Sequence, residues 1–546
     1  MAYAIGVLAM SGLSAPAQAI TFGNDYVDGE FNTTLTTGLG MRTESPDPDL
    51  INRGNQGGPA GRATPNVMGD QGDLNYDKHD LFTQYVKGNH ELLLKFPEEF
   101  TFMARVNWLY DFAATQTTGW LSNQTLTASV PGTIKDGLPQ DSREDLRFKS
   151  RLMDLWVSKR FSIGDQQARL RVGNQVINWG ETVFALNGIN QTNAVDLMRL
   201  SQPGTQVKEA LLPAPIVSFA TGLGSGLNME AYVQQGYNKS YFPPTGSYWS
   251  TGNGIGTGDN AYGLVTKNAR SSGQWGLSLR FEPESIPASF GAYVIRYHDK
   301  TPNLSLDVQQ DGSFSEAGWV HLEDRMLYGV SANTNLGDWA VGSELSYRPK
   351  DAVSLNTSTG CVDRGGECWV DQKRWQWSMS GTLSLTPANA RGFLDAIGAD
   401  TGNFISEVTV IHFPELRKAY GAELVSPGYW SWGNETDPTA APESEGTKTS
   451  SGISLDFSVT YDGSIIPGWQ VTPEIYYSRA LQGRTPTLMA NYMKDAQSAN
   501  VIVTFSQNPL SWMFGINYAT YWGGDSRFDQ PWGDRDFIGA YLSYNF

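Results

Sequence analysis

Apolar and polar residues alternate one by one along much of this chain, in stretches of about ten residues or more. Phe100, Phe102, Ala104, Val106, Trp108, Tyr110 and Phe112 fall on one side of such a stretch, with Thr101, Arg105, Asn107 and Asp111 on the other. Ile453, Leu455, Phe457, Val459 and Tyr461 repeat the scheme. So do Trp469, Val471, Pro473, Ile475 and Tyr477, and Trp512, Phe514, Ile516 and Tyr518. Trp339, Val341, Leu345 and Tyr347 keep the same face, with Ser343 as its polar member. Side chains of a strand point to opposite faces in turn, so each stretch predicts a strand with one apolar and one polar side. Strands of soluble sheets average five or six residues, whereas a tilted strand needs about nine to eleven to cross a bilayer. Trp and Tyr cluster at the strand ends, where the aromatic girdles of a membrane barrel lie.

About 18 such segments can be placed, centred near Leu35, Leu92, Trp108, Leu155, Leu170, Ser218, Ala231, Leu279, Tyr293, Val330, Val341, Met379, Val408, Leu455, Ile475, Val503, Phe514 and Leu542. Leu155 and Ser218 have the least regular alternation. The connections then alternate in length. Pro97-Glu98-Glu99, Leu223 to Gly226, Pro283 to Pro287, Asp462 to Gly468 and Ser506 to Pro509 are short. Glu44 to Asp80, Ala113 to Glu144, Trp179 to Pro213, Asn238 to Ser272, Asp299 to Glu323, Asp351 to Asp371 and Pro414 to Thr449 are long. Short turns on one rim, long loops on the other and an even strand number describe a bacterial outer-membrane barrel. The expected fold is therefore all-β: a transmembrane antiparallel β-barrel of about 18 strands (16–18), with long extracellular loops, short periplasmic turns and one loop segment folded inward. Both termini fall on the short-turn side. The last strand carries Ile538, Ala540, Leu542, Tyr544 and Phe546 on one face, Gly539, Tyr541, Ser543 and Asn545 on the other, and Phe537 as the one apolar exception. Its terminal Phe546 resembles the signal that the outer-membrane assembly machinery reads.

Composition narrows the partners. Among 546 residues, 59 are Gly, 12% are aromatic and 17% charged, which suits strands and turns better than helical domains. No run of about 18 apolar residues predicts a transmembrane helix. A net charge of −17 argues against nucleic acid and fits solvated acidic loops. Ala4 to Leu13 followed by Ala17-Gln18-Ala19 reads as a signal peptide over residues 1–19, although no Lys or Arg precedes the apolar stretch. Residues 20–546 then form a single barrel domain. The two cysteines, Cys361 and Cys368, lie on the external side around a Gly-containing spacer; a loop-stapling disulfide is the expected use, with a metal site the alternative. The five histidines are scattered, so no metal and no cofactor is expected.

The segment Gly173 to Val217 is least like a strand or a plain loop. It mixes apolar residues with Asn, Asp, Arg, Lys and Glu over a length idle loops rarely reach. A barrel of about 18 strands is wide inside, and something must narrow it. Residues 180–213 are expected to fold inward as a constriction. Asp196, Arg199, Lys208 and Glu209 would line the opening with opposed charges, with apolar contact from Trp179, Phe184, Leu197 and Met198. Glu181, Asn187 and Asn190 complete the candidate ligand-contacting set. The alternative is an external Ω-loop packed on itself.

GNQVINWGETVF, GINQTNAVDL and PGTQVKEALLPAPIV, together with GDQGDLNYDKHDLFTQ and FTFMARVNWLYDF, resemble the outer-membrane proteins of the proteobacterial family catalogued as domain of unknown function 1302. The likeness spans the mature chain and concentrates before Val217. It implies an outer-membrane barrel, often encoded beside a periplasmic lipid-carrier-like protein and an inner-membrane resistance-nodulation-division (RND) transporter. No catalytic residues come with it.

Of the charges expected to point inward, Lys87, Lys95, Arg105, Arg169, Arg171, Arg280 and Arg348 nearly balance Glu91, Asp111, Glu230, Glu344, Asp456 and Glu474, so no ladder of one sign is expected. His90 falls on the lipid side and the other histidines in or beside loops or strand ends, which argues against an enzyme. One short-side connection, Thr386 to Asn403, holds one or two turns of helix starting from Thr386-Pro387, either a capped turn or a docking point for a periplasmic partner. The expected function is a monomeric outer-membrane channel passing apolar or amphipathic small molecules, embedded in lipid and lipopolysaccharide. The alternative is a docking platform for a periplasmic carrier and the RND transporter. The substrate itself is not legible.

Overall fold

The computed structural model describes residues 20–47, 50, 69–117, 134–308, 314–356, 361–428 and 445–546. The expected signal peptide, 1–19, and the tips of several long connections lie outside these residues. The chain closes an antiparallel barrel. Its strands are β1 (Val27–Arg42), β2 (Leu81–Phe96), β3 (Phe100–Asp111), β4 (Phe148–Ile163), β5 (Gln166–Gln175) and β6 (Ala214–Gly224). Then come β7 (Leu227–Gln234), β8 (Gln274–Phe281), β9 (Ala288–Tyr297), β10 (Arg325–Leu336), β11 (Trp339–Ser354) and β12 (Trp369–Leu385). The ring ends with β13 (Thr401–His412), β14 (Thr449–Asp462), β15 (Trp469–Gln482), β16 (Ala496–Gln507), β17 (Trp512–Gly523) and β18 (Phe537–Asn545).

Each strand pairs with its neighbours in sequence, and β1 pairs with β18 from Thr34↔Asn545 to Arg42↔Phe537. The sheet holds 19 strands; Ile20–Asn24 pairs only with the start of β1 outside the ring, which leaves 18 in the wall. All 18 expected centres fall inside observed strands, Leu155 and Ser218 included. Closure removes every edge inside the ring, which is how a sheet satisfies its backbone in lipid.

Burial runs opposite to that of a soluble protein. In β18, Ile538, Leu542 and Tyr544 are exposed, while Gly539, Tyr541 and Ser543 are buried. Apolar residues face outward to lipid and polar residues inward, which places the protein in the bacterial outer membrane. The few polar groups on the lipid side are satisfied locally. His90 accepts from Trp108 Nε1 at 3.0 Å and lies 3.1 Å from Thr33 Oγ1; Ser343 Oγ accepts from Trp377 Nε1 at 3.1 Å.

The main core lies in the external mouth. Tyr76, Tyr248, Trp249 and Trp532 are buried there, brought in by the long loops, against Phe82 of β2. Phe537, the apolar exception of the last strand, joins them at 5.4 Å from Phe82 and 5.3 Å from Trp249 between ring centroids. Ion pairs fasten this roof: Arg42 to Asp73 (2.7 Å) and Asp534 (3.0 Å), and Arg535 to Asp70 (2.6 Å), all nearly free of solvent. Cys361 and Cys368 are bonded to each other in the β11–β12 connection.

The Thr386 to Asn403 connection differs from its reading. Its helix is Arg391–Ile397, not a helix begun at Thr386-Pro387. Asn389 is the reason: its Oδ1 accepts from Thr386 N (2.8 Å) and its Nδ2 donates to Ser384 O (3.0 Å), closing a turn before the helix can start.

Candidate functional site

Between β5 and β6 the chain leaves the wall, crosses the interior and returns. Its first half, from Ile177 to Gln191, is held mainly through its backbone. Glu344 of β11 accepts from Glu181 N (2.8 Å) and Ile189 N (3.0 Å). Glu407 of β13 accepts from Val183 N (2.6 Å), Phe184 N (3.2 Å) and Ala185 N (2.6 Å). Arg348 of β11 donates to Asn187 O. Two wall carboxylates thus take up five backbone N–H groups that a short, non-helical path would otherwise strand. Side chains pack around these bonds. Trp179 lies against Tyr232 and Tyr293 (5.1 and 6.0 Å) and donates to Glu230 (2.9 Å), while Phe184 packs on Tyr476 (5.4 Å). Gly276 leaves room for this: a Cβ there would stand 2.8 Å from the Trp179 ring.

The second half, from Asp196 to Glu209, is held by its own charges. Asp196 caps the short helix Leu197–Ser201, accepting from Arg199 N at 2.8 Å, and pairs with Arg151 of β4. Lys208 pairs with Glu91 and Glu209 with Lys87 (2.7 Å), both partners on β2. Lys87 also donates to Gly204 O (2.8 Å), and Tyr85 to Pro203 O (2.5 Å). Pro203 packs on Gly539, where a Cβ would come within 2.5 Å.

The candidates therefore share one segment but do not converge on one opening. Asp196, Arg199 and Glu209 are almost wholly buried, and Asp196, Lys208 and Glu209 spend their charge on the wall. Glu209 still borders a small space with Thr36, Asn500 and Tyr541, and Lys208 is partly exposed, whereas Asp196 is turned to the wall, where an opposite charge attracts it more strongly than it would across water. Trp179 and Phe184 are likewise packed against the wall. Asn190 Oδ1 accepts from Trp179 N and Gly180 N (3.0 and 3.2 Å) and shapes the bend. Glu181 keeps its side chain beside open space, and Asn187 bridges to Asn491 (3.2 Å).

What remains open lies around these anchors. A cavity of about 220 Å³ sits between the segment and the external loops, lined by Val183, Leu186, Val207, Leu211 and Met489 with Asn187 and Asn190. Lys300 also borders it, its ammonium bonded to Asn238 and Gln274 (3.0 Å each); burial pushes it down to about 7, and nearby Asp299 offsets part of that. Toward the short-turn rim are larger spaces, about 600 Å³ beside Glu181 and about 300 Å³ beside Arg160, Arg169 and Arg280.

The wall charges stay mixed in sign around the ring, in keeping with the expected near balance: Glu230 of β7 lies 4.0 Å from Arg169, Asp154 of β4 pairs with Arg105, and Arg348 of β11 and Arg374 of β12 both bind Asp351. Arg160, Arg169, Arg171 and Arg280 lie on β4, β5 and β8; Glu344, Glu407, Asp456 and Glu474 lie on β11, β13, β14 and β15. Arg160 and Glu407 were missed by the sequence reading, although Glu407 next to the outward Val408 carries the signal of an inward acid.

The family model described as protein of unknown function (DUF1302) matches residues 1–546. The chain belongs to that family. No curated protein matches it at a significant level. Among solved structures, this DUF1302 member resembles OccAB1 of Acinetobacter baumannii (12% identity over 97% of this chain and 98% of that one, TM-score 0.44). It also resembles OpdK of Pseudomonas aeruginosa, solved with vanillate (10%, 95% and 98%, TM-score 0.42). A BenF-like porin from Pseudomonas fluorescens Pf-5 is similar at 10% identity over 96% and 100%, with a TM-score of 0.44. At such scores the barrel of this family member rests on its own strand register.

Proposed function

We propose that the protein is a channel that passes small amphipathic molecules through the outer membrane, past the segment 180–213, without making or breaking a covalent bond. The carrying observation is the cavity beside that segment, apolar on Val183, Leu186, Val207 and Leu211 and polar at Asn187 and Asn190. Its volume of about 220 Å³ is below the roughly 300–1,000 Å³ of ordinary ligand pockets, which favours small solutes over lipids. The charged groups Arg160, Arg169, Glu230 and Arg280 around the space near the short-turn rim support passage of a molecule with a polar end. The segment acts as the constriction.

The test is planar-bilayer conductance and permeation of small aromatic and short-chain acids and alcohols, before and after deletion of Asn187 to Gln206. Heat-modifiable migration on gels checks that the shortened chain still forms a barrel. Larger conductance with lost discrimination between solutes is expected; a folded variant with unchanged conductance and permeation removes the constriction. The alternative, a docking platform for a periplasmic carrier and an RND transporter, is tested by crosslinking in intact cells from the Thr386 to Asn403 connection; recovery of only lipopolysaccharide and assembly factors would count against it.

A further inference from the structure

That connection lies on the outside of the wall. In the helix Arg391–Ile397, Leu394 is buried and packs, with Ala390 and Ala399, against Leu385, Phe457, Val459 and Tyr461. These wall residues belong to the lipid-facing side. Phe457 pairs across strands with Phe404 and with the exposed Ile475, while Ile405 and Asp456, one position away, face the interior. The chain leaves β12 at the periplasmic rim, turns outward and folds back along the membrane-facing surface. The Tyr461 hydroxyl donates to Ile397 O at 3.3 Å and holds the helix end against the wall.

The rest of the helix surface is divided. Phe393 and Ile397 stand four residues apart, on one side, and are 45% and 39% exposed. Arg391 and Asp395, also four apart, are exposed on the opposite side. Phe393 continues the aromatic surface of the wall, its ring 6.3 Å from that of Phe457, with Trp339 and Phe404 in contact beyond (5.9 Å). Val459 lies three residues inside the strand end at Asp462. With about 3.3 Å per residue and a tilt near 45°, that is about 7 Å of depth, within the ~5–10 Å to which interfacial helices sink their apolar face.

We infer that Arg391–Ile397 is an interfacial anchor: it inserts Phe393 and Ile397 among the upper acyl chains of the periplasmic leaflet and keeps Arg391 and Asp395 at the headgroups. The occupant of its exposed apolar side is phospholipid, because that side is continuous with the lipid-facing wall. Two side chains are also far too little surface for a stable protein contact, which buries about 1,000 Å² or more. The anchor fixes the height of the barrel at one point of its rim.

The test places a nitroxide on Cys introduced singly at Phe393, Ile397 and Asp395, in the full barrel in phosphatidylethanolamine–phosphatidylglycerol vesicles. References are Leu279→Cys on the lipid-facing wall and Asp165→Cys in the β4–β5 turn. The ratio of oxygen to nickel-chelate accessibility should be several-fold higher at positions 393 and 397 than at 165, and close to that at 279. Position 395 should match 165. Water-like ratios at both 393 and 397 would overturn the inference. So would labels that are water-exposed in vesicles but shielded in isolated outer membranes, which would assign this side to a periplasmic protein. If the Phe393→Cys chain fails to fold, Ile397→Cys carries the same comparison.

Discussion

The two halves of the inserted segment are held to the same wall by opposite means. From Ile177 to Gln191 the wall supplies the charge and the segment supplies backbone N–H groups, gathered by Glu344 and Glu407. From Asp196 to Glu209 the segment supplies charged side chains and the wall answers with Arg151, Glu91 and Lys87. Away from Trp179 and Phe184, which pack on the wall, the first half can therefore change side chains with little loss of anchoring, and Val183 and Leu186 are free to shape the cavity. The second half is committed: Asp196, Lys208 and Glu209 each cancel a charge on the wall. A barrel that must vary what it admits while keeping its plug in place would separate the two tasks in this way.

The strongest way to break that comparison is to strand a charge in the second half. Lys87→Met leaves Glu209 buried beside it, and losing one partner of a buried pair costs about 3–5 kcal/mol. Thermal unfolding in detergent should show a clear drop, largely recovered in Lys87→Met with Glu209→Gln, which removes both charges. Failure of that rescue would mean the pair does not act as a unit. Next comes the first half. Glu407→Gln replaces one accepting oxygen by a donor facing backbone N–H groups, a loss of about 1–3 kcal/mol for groups left unpaired. Single-channel recordings should show a noisier and larger conductance, because the loosened part borders the cavity. A quiet, unchanged trace would show that the backbone grip is dispensable.

Lys208→Ala should cost under about 1 kcal/mol, because the Lys208–Glu91 pair is partly open to solvent. The smallest effect belongs to Val183→Thr: anchoring at that position is through its N–H, so stability should move by less than about 0.5 kcal/mol while permeation of apolar solutes falls. A large loss of stability there would break the comparison from the other side, by showing that side-chain packing holds the first half as well.

These contrasts also mark how far the sequence could be read. Strand positions were legible down to the least regular ones, at Leu155 and Ser218, because a residue facing lipid and one facing water must differ in kind and alternate. Single exceptions to the alternation pointed to contacts, as Phe537 does with the loop core and Ser343 with Trp377. The inserted segment was recognisable from its length and mixed composition. Its charged half could be picked out by residue type, though not by role: Asp196 and Glu209 read as lining and stand as anchors. Its backbone-held half was not legible, since an N–H group carries no residue identity and the carboxylates that hold it lie more than 150 positions away.

By itself, then, the sequence determined the barrel, its strand number, its two rims and the loop that enters it. Those follow from a local rule, the alternation that a bilayer on one side and water on the other impose on each strand. Only the tertiary structure decided which charges meet and that the Arg391–Ile397 helix folds onto the lipid face. These depend on folding the wall and its loops together, because that brings residues from distant parts of the chain into contact.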